Sequence, residues 1–256
     1  MFRYFVCILM VFGGLIPARA NISLMPFFVE LDATSRNRTA QVRFTNTSNQ
    51  AHTYNIKMVN FKQNADGSYT PINDPIVGNP FADKYLEWAP HQVTLEPNQS
   101  QVIRIQRQSM ATASDGEYVS HLLIQEQESP RAPSATTKKT DGVAINLTAL
   151  YGVSIPVMIE NGDLSAVAKI ESVKIIDQGQ GPIARVNVVR SGTRSFTGTL
   201  VVRAGRREYG RVEKFRIFLT TPNRVIDIPL TSMPPRDASV ILIDEKTDET
   251  LETKHI

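Results

Sequence analysis

Residues Val143–Val157 read VAINLTALYGVSIPV, and this run decides the fold. Every odd-numbered position in it is apolar, whereas the even positions are mostly smaller or more polar. A period of two predicts a β-strand with two unlike faces. The run holds no charge and is far longer than the usual strand of about five or six residues. Such a strand is an aggregation hazard on a sheet edge, so we expect it to be buried in its own sandwich or covered by a partner.

The chain begins with a run that predicts export. Arg3 precedes an apolar stretch that ends at Ala18-Arg19-Ala20, a small-x-small cleavage signal. We expect a signal peptide cleaved after Ala20. The only cysteine, Cys7, lies within it, so no disulfide is expected. The chain has 28 Lys and Arg against 25 Asp and Glu, two of the arginines lie in the signal, and the exported protein is therefore nearly neutral. This balance does not favour nucleic acid as a partner.

The rest of the chain repeats short period-two runs bounded by turn residues, which predicts an all-β protein. Tyr118 follows the turn residues Asp115 and Gly116, a placement typical of the tyrosine corner of immunoglobulin-like sandwiches. Two segments are predicted loops, namely Tyr69–Asp83 and the mobile Ser129–Gly142. The predicted strands of the first domain are Ile22–Leu31, Arg38–Thr45, Thr53–Phe61, Tyr85–Leu95, Ser100–Gln108, Glu117–Gln127 and Val143–Val157.

A second domain repeats the pattern more weakly. The division predicted is a signal peptide at residues 1–20, a first domain at 21–158 and a second at 159–256. Candidate strands in the second domain are Leu164–Ile176, Ala184–Arg190, Phe196–Arg203, Glu213–Leu219, Arg224–Leu230, Ala238–Asp244 and Leu251–Ile256.

Motifs for catalysis, metals and cofactors are weak. Gly179–Ala184 spells a dinucleotide-loop variant, but a β-branched run follows it where that loop needs a helix. Gly152–Pro156 matches only part of a nucleophile elbow. No phosphate-binding loop motif occurs, and the histidines lack metal-ligand spacing. We therefore expect no catalytic residue, no metal site and no cofactor. The four histidines are His52, His91, His121 and His255.

The densest basic run lies in the second domain. Glutamates interleave with it and aromatic residues are few, so a solvated surface is favoured over a nucleic-acid patch. A docking face for a protein partner is the other interpretation. The run consists of Arg203, Arg206, Arg207, Arg211, Lys214 and Arg216.

This order of segments resembles the periplasmic pilus-assembly chaperones of the chaperone–usher pathway (PapD-like), in a divergent branch. The resemblance is strongest at Asp115–Leu123, which reads DGEYVSHLL, and at Tyr151–Val157, which reads YGVSIPV. It covers essentially the exported chain but is weak beyond Asp163. It implies two immunoglobulin-like β-sandwich domains in an L or boomerang arrangement.

The function implied is that of a periplasmic, non-enzymatic chaperone. The last strand of its first domain would complete the fold of a pilus subunit, and an outer-membrane usher would then receive the subunit. Strand addition uses main-chain hydrogen bonds for affinity and alternate side chains to fill a groove. No nucleic acid and no small-molecule substrate are implied. The donated side chains would be Val143, Ile145, Leu147, Ala149 and Tyr151.

One departure from the family concerns the subunit's terminal carboxylate. The best-known members hold it with a basic residue in the first strand and a lysine late in the donor strand. Here those places fall near Phe28 and Ser154. We expect either a base from a neighbouring strand, Arg104 or Arg107, or apolar contacts from Phe27 and Phe28.

Two other classes of protein remain open. The chain could be a structural pilus subunit or a two-domain adhesin, although subunits usually have an N-terminal donor extension. It could also be a secreted β-sandwich enzyme, which the missing catalytic constellation disfavours.

Overall fold

The computed structural model describes residues 22–74, 81–127, 151–177, 179 and 181–256. The elements of the first domain are β1 Ile22–Met25, β2 Val29–Asp32, β3 Thr39–Asn46, β4 His52–Val59, β5 Phe61–Gln63, β6 Tyr69–Pro71, a 3₁₀ turn Asp83–Tyr85, β7 Leu86–Ala89, β8 Gln92–Leu95, β9 Ser100–Arg107, β10 Gly116–Glu126 and β11 Gly152–Asn161. Those of the second domain are β12 Ala166–Asp177, β13 Pro182–Gly192, β14 Phe196–Ala204, β15 Arg207–Ile217, β16 Asn223–Pro229, β17 Ser239–Asp244 and β18 Glu249–His255.

The first domain is a sandwich of two sheets. One has the strand order β1-β3-β9-β7 and the other has the order β2-β11-β10-β4-β8. This is the immunoglobulin arrangement, with the first strand shared between the sheets. Their inner faces enclose one apolar core, which includes Phe44, Tyr54, Ile105, Leu122 and Val157.

The predicted tyrosine corner is confirmed. The Tyr118 hydroxyl donates a hydrogen bond to the backbone oxygen of Ser114, four residues upstream, at 2.8 Å. The ring itself is buried in the first core. This bond fixes the turn that leads into β10, the central strand of its sheet.

Two predicted strands prove to be pairs of strands in opposite sheets. Ile22–Leu31 divides into β1, which pairs with β3, and β2, which pairs in parallel with β11. Tyr85–Leu95 divides into β7 and β8. Pro26 and Pro90 lie at the two breaks, and because proline has no backbone N–H it ends a hydrogen-bonded ladder.

The predicted loop at Tyr69–Asp83 is wrong at its start. Strands β5 and β6 form a short antiparallel hairpin, with Phe61 opposite Pro71 and Gln63 opposite Tyr69. The turn between them, Asn64–Gly67, contains the Asn, Asp and Gly residues that favour turns. The period-two test failed on β6 because three residues are too few to show a period.

The second domain is also a sandwich, with sheets β12-β13-β16 and β15-β14-β17-β18. Its core is separate and includes Val186, Phe196, Leu200, Ile228 and Leu242. The glycine pair at 179 and 181 lies in the turn between β12 and β13, with φ of 75° and 114°. Strand β13 follows this turn, at the place where a dinucleotide loop would need a helix.

The domain boundary lies later than predicted. Strand β11 continues to Asn161, and Ile159 packs in the first core. The division at residue 158 is therefore corrected to the turn after Asn161. The prediction of an all-β protein with two immunoglobulin-like domains is confirmed, and the L or boomerang arrangement stays a prediction. No helix in the described part of the chain has the length and hydrophobicity needed to cross a membrane.

Candidate functional site

Strand β11 has one face in the core and one face outside it. Ile155, Val157 and Ile159 are buried in the first core, and Val153 packs against it. The even-numbered side chains lie on the opposite face, where Met158 joins a cluster with Val119 and Phe218 of the second domain. The period of two read from the sequence is therefore observed in the described half of the run. Residues 143–150 lie outside the described residues, as do the four proposed donor side chains among them.

The outer edge of β11 is covered along only half of its length. On one side β10 pairs with it from Gly152 to Asn161. On the other side β2 pairs with it only from Val157 to Glu160. We call Gly152–Pro156 the open half and Val157–Asn161 the covered half.

In the open half, the unpaired backbone N–H and C=O groups point away from β10. The Glu126 N–H donates to the Tyr151 oxygen at 2.9 Å, so the odd-numbered residues of β11 bond to β10. In an antiparallel ladder the intervening residues then direct their N–H and C=O to the other side. Among the described residues, no strand pairs with Gly152 or Ser154 on that side. Pro156, which has no N–H to offer, lies where the open half ends.

Exposed large apolar side chains lie in the segments next to the two ends of the open half. Met25 ends β1, Phe27 and Phe28 lie in the crossing to β2, and the three are 66%, 71% and 43% exposed. Since Val29 lies opposite Val157, this crossing reaches the edge of β11 where the covered half begins. Tyr151, at the other end, is 54% exposed. Four exposed large apolar residues beside one unpaired edge are typical of a protein-binding surface.

A pocket of about 330 Å³ lies between the domains, which we call the junction pocket. The first domain lines it with Phe28, Glu30, Glu117 and Glu160. The second domain lines it with Arg194, Ser195, Thr197, Lys214, Arg216, Glu245 and Lys246. The pocket is therefore rich in charges of both signs and has Phe28 as its apolar residue.

Arg216 of β15 ties the two domains together at this pocket. Its guanidinium lies 4.7 Å from the centre of the Phe28 ring and 2.9 Å from a Glu30 oxygen. It also donates to the Met158 sulfur at 2.8 Å. The Arg216 side chain is largely buried, whereas Glu30 is half-exposed. Arg216 thus holds Phe28 from the second domain, and this pair stands beside the end of the open half.

Glu117 crosses the junction in the opposite direction. Its carboxylate is buried and accepts hydrogen bonds from the backbone N–H and the hydroxyl of Ser195. Burial raises the pKa of Glu117 above its ordinary value, and the two bonds from Ser195 oppose that rise. This contact fixes the turn before β14 against β10.

A hairpin of the first domain also docks on the second. The Gln63 backbone N–H donates to the Thr220 hydroxyl at 3.0 Å, and its side-chain amide donates to the Arg216 backbone oxygen at 3.1 Å. The same side chain accepts from the Phe218 N–H at 3.0 Å. Gln63 is buried, and all three bonds cross the junction. The hairpin β5–β6 therefore sets the position of the strand end that carries Arg216.

His121 lies in an aromatic cluster at the same junction. Its ring contacts Phe61, Tyr69 and Phe218, with centroid distances of 5.1, 5.5 and 6.1 Å. Neither ring nitrogen has a hydrogen-bond partner. Burial lowers the pKa of His121 to about 4, so the ring is neutral at neutral pH. The described residues contain no group of three or more His, Cys, Asp and Glu that could bind a metal.

The two arginines expected to hold a carboxylate lie elsewhere. Arg104 is exposed on β9, in the sheet that does not contain β11. Arg107 is only 2% exposed, and its guanidinium donates to the backbone oxygens of Gln108 and Ser35. Arg107 thus serves the structure of the first domain, and neither arginine lines the junction pocket. Of the other candidates, Phe28 lines the pocket, Phe27 is exposed beside it, and Ser154 lies on the open half.

Sequence reasoning missed the cations that do line the pocket. Lys214 and Arg216 belong to the basic run of the second domain, for which a docking face was one interpretation. The remainder of that run lies away from the pocket, and Arg211 is paired with Glu208 and Glu213. Only the density of arginine and lysine marked the region in advance.

Comparison with known proteins gives matches in structure alone. No protein-family model matches the chain. No curated protein matches it either. Several of the solved structures that are similar to it are chaperones. The Pseudomonas aeruginosa CupB2 chaperone is 14% identical, with 91% of this chain and 100% of that one covered and a TM-score of 0.47.

Two further matches are also similar in structure at low sequence identity. The Escherichia coli chaperone DraB is 13% identical, with 92% and 96% of the two chains covered and a TM-score of 0.43. A chain of the CsuC–CsuE chaperone–tip subunit pre-assembly complex of archaic chaperone–usher Csu pili of Acinetobacter baumannii is 12% identical, with 91% and 98% covered and a TM-score of 0.42. We therefore draw the function from this chain's own edges, pockets and charges.

Proposed function

We propose that this protein is a periplasmic chaperone that binds and caps pilus subunits by adding a β-strand to their incomplete fold. The observation that carries the proposal is the open half of β11. Its outward N–H and C=O groups at Gly152 and Ser154 have no strand partner among the described residues. The chain enters it directly from the uncharged alternating run 143–150.

A strand added along the open half would pair with its free backbone groups and would also cover the exposed apolar side chains next to it. A partner strand laid along β11 would pair with the free backbone groups, which give affinity independent of sequence. Met25, Phe27 and Phe28 would lose water contact against the partner. The run before Tyr151 would then supply Val143, Ile145 and Leu147 to the partner's groove. Each large aliphatic side chain buried in this way contributes about 1.5–3 kcal/mol before ordering costs.

The cellular role follows from the sequence resemblance together with the predicted signal peptide. The protein would be exported, cleaved after Ala20 and retained in the periplasm, where it would deliver subunits to an outer-membrane usher. A non-enzymatic role agrees with the junction pocket, whose carboxylates are engaged by Ser195, Arg216, Lys246 and Thr199.

A proline at Ser154 tests strand addition. Ser154→Pro removes the outward N–H but leaves the bonds of Val153 and Ile155 to β10 in place. We expect its affinity for a pilus subunit produced together with it to fall at least about tenfold, with little change in melting temperature, because edge positions tolerate proline. Ser154→Ala, which keeps the N–H, is the matched control.

Co-purification from the periplasm and titration calorimetry measure these affinities. If Ser154→Pro binds the subunit as tightly as Ser154→Ala, the subunit does not pair with this edge. A chain found polymerised on the cell surface, without a one-to-one complex, would instead identify a structural subunit or adhesin.

A further inference from the structure

A second pocket, of about 340 Å³, lies on the second domain, and we call it the arginine pocket. Its floor is apolar and consists of Val201 of β14 with Ile241 and Ile243 of β17. None of the three belongs to the core of the second domain, which takes Leu200 and Val202 from β14. Because side chains alternate along a strand, the floor lies on the outer face of the sheet β15-β14-β17-β18.

Arginines of β14, of β15 and of the turn between them form the rim of the arginine pocket. Gly205 and Arg206 make a two-residue turn, and Gly205 has the positive φ, 54°, that such a turn needs at its first position. Arg203 lies just before this turn, and Arg211 lies opposite Val201 on the neighbouring strand. The hairpin thus brings three guanidinium groups to one apolar floor.

The charges of the arginine pocket are unequally satisfied. Arg211 pairs with Glu208 at 3.0 Å and with Glu213 at 3.1 Å. Of the described residues that line the pocket, Glu208 alone carries a carboxylate, and Arg211 already engages it. Arg203 and Arg206 are exposed, and neither forms an ion pair or a side-chain hydrogen bond within the described part of the chain. Two guanidinium groups are therefore free beside the apolar floor.

The arginine pocket is separate from the open half and from the junction pocket. Thr197 of β14 lines the junction pocket, and Val201 lies four residues further along the same strand, on the same face of the sheet. At about 3.3 Å per residue, the two residues are about 13 Å apart. A short segment that is bound in the arginine pocket therefore leaves the open half accessible.

We propose that the arginine pocket binds an acidic, extended segment of a second protein partner, distinct from the subunit at β11. An apolar side chain of this segment covers the floor, and carboxylates beside it pair with Arg203 and Arg206. Guanidinium groups bind carboxylates through two parallel hydrogen bonds, so an acidic segment complements the rim. Nucleic acid is disfavoured, because bases stack on aromatic rings and none of the described residues lining the pocket is aromatic. This site goes beyond the proposed function and does not depend on strand addition.

Binding of defined peptides to the full exported chain tests the site. The probe is a fluorescent peptide with two aspartates on each side of one isoleucine, flanked by glycine and serine. One control peptide replaces the aspartates with asparagine, and the other replaces the isoleucine with serine. We expect the probe to bind at least about tenfold more tightly than the asparagine control and at least about threefold more tightly than the serine control. Added salt should weaken binding of the probe, because exposed charges are screened.

Substitutions in the chain locate the site. Arg203→Gln and Arg206→Gln should each weaken binding of the probe at least about threefold. Ile243→Thr should remove the preference for isoleucine over serine. Arg236→Gln, at an exposed arginine of the same domain, should bind the probe as the wild type does. Ser154→Pro should also bind it normally, which separates this site from strand addition. Melting temperatures should stay unchanged in the arginine variants, because those side chains are exposed.

Each other outcome overturns the proposal. No binding of the probe, or equal binding of the probe and its asparagine control, removes the acidic partner. Unchanged binding in both Arg203→Gln and Arg206→Gln places the probe elsewhere, and loss of binding in Ser154→Pro places it on the open half. An oligonucleotide or anionic vesicles that bind more tightly than the probe and are displaced by it would identify another class of ligand. Self-association that Arg203→Gln abolishes would identify a second copy of this chain as the occupant.

Discussion

The two halves of β11 share one core but differ in what covers them. In both halves the odd-numbered side chains face the first core. In the covered half, β2 closes the edge and the second domain contacts the outer face at Met158 and Glu160. In the open half, the described residues provide neither an edge strand nor a contact from the second domain. A single strand thus serves folding along one half and is available for binding along the other.

The largest expected effect comes from comparing a buried position in the covered half with an edge position in the open half. Val157→Asp places a carboxylate in a fully buried site, so we expect a loss of more than about 4 kcal/mol in the free energy of unfolding, and no folded protein at 37 °C. Ser154→Asp, three residues away, should change it by less than about 0.5 kcal/mol. Urea unfolding of the two variants measures the difference. A large destabilisation by Ser154→Asp would mean that the open half is covered in the free protein.

The second prediction concerns the effect of pH on stability. It involves His121, which lies opposite Pro156, where the two halves of β11 meet. The depressed pKa of His121 means that the folded state binds fewer protons than the unfolded state between pH 6.5 and about 4. Stability should therefore fall as the pH is lowered through this window, by about 3 kcal/mol in total. The raised pKa of Glu117 has the opposite effect on stability, because it favours the folded state more as the pH falls.

His121→Phe isolates the contribution of the histidine. It keeps an aromatic ring against Phe61, Tyr69 and Phe218 but cannot be protonated. Urea unfolding from pH 7 to pH 4 should show a smaller loss of stability in this variant than in the wild type. Parallel curves for the two proteins would mean that the ring is solvated or finds a partner, and that the junction is looser than the structure indicates.

The smallest expected effect lies at the end of the open half. Lys214→Gly relieves the left-handed backbone but adds flexibility to the unfolded chain, so we expect a gain of about 0.5–1 kcal/mol in stability. Lys214→Asn, which tolerates the left-handed region, is the matched control for the backbone. Calorimetric melting that shows no gain for either variant would argue that the backbone at Lys214 is unstrained.

Local pattern predicted most of the fold, because strands and turns leave short-range signals. The period of two located nearly every strand, and the Asp115-Gly116 turn before Tyr118 located the tyrosine corner. The divisions at Pro26 and Pro90 were missed, although proline is itself a signal for the end of a ladder.

The site was less predictable, because its contacts join residues that are distant in the chain. Glu30 and Arg216 are 186 positions apart, and no local pattern associates them. Arg107 was a reasonable candidate by composition, but its burial depends on how the loop at Ser35 returns to it. Phe28 was found only because the family resemblance pointed to its position.

The position of β2 also determines how a partner can be selected. A strand laid along the open half is aligned by where its chain stops, since β2 blocks any further advance. Its alignment therefore depends on its terminus and on backbone groups that all sequences share. Under the proposed function, subunits of different sequence would occupy the same edge in the same alignment, provided that each ends its chain at the same distance from its groove. Under the proposed function, this edge would serve a set of related subunits without reading the sequence of any one of them.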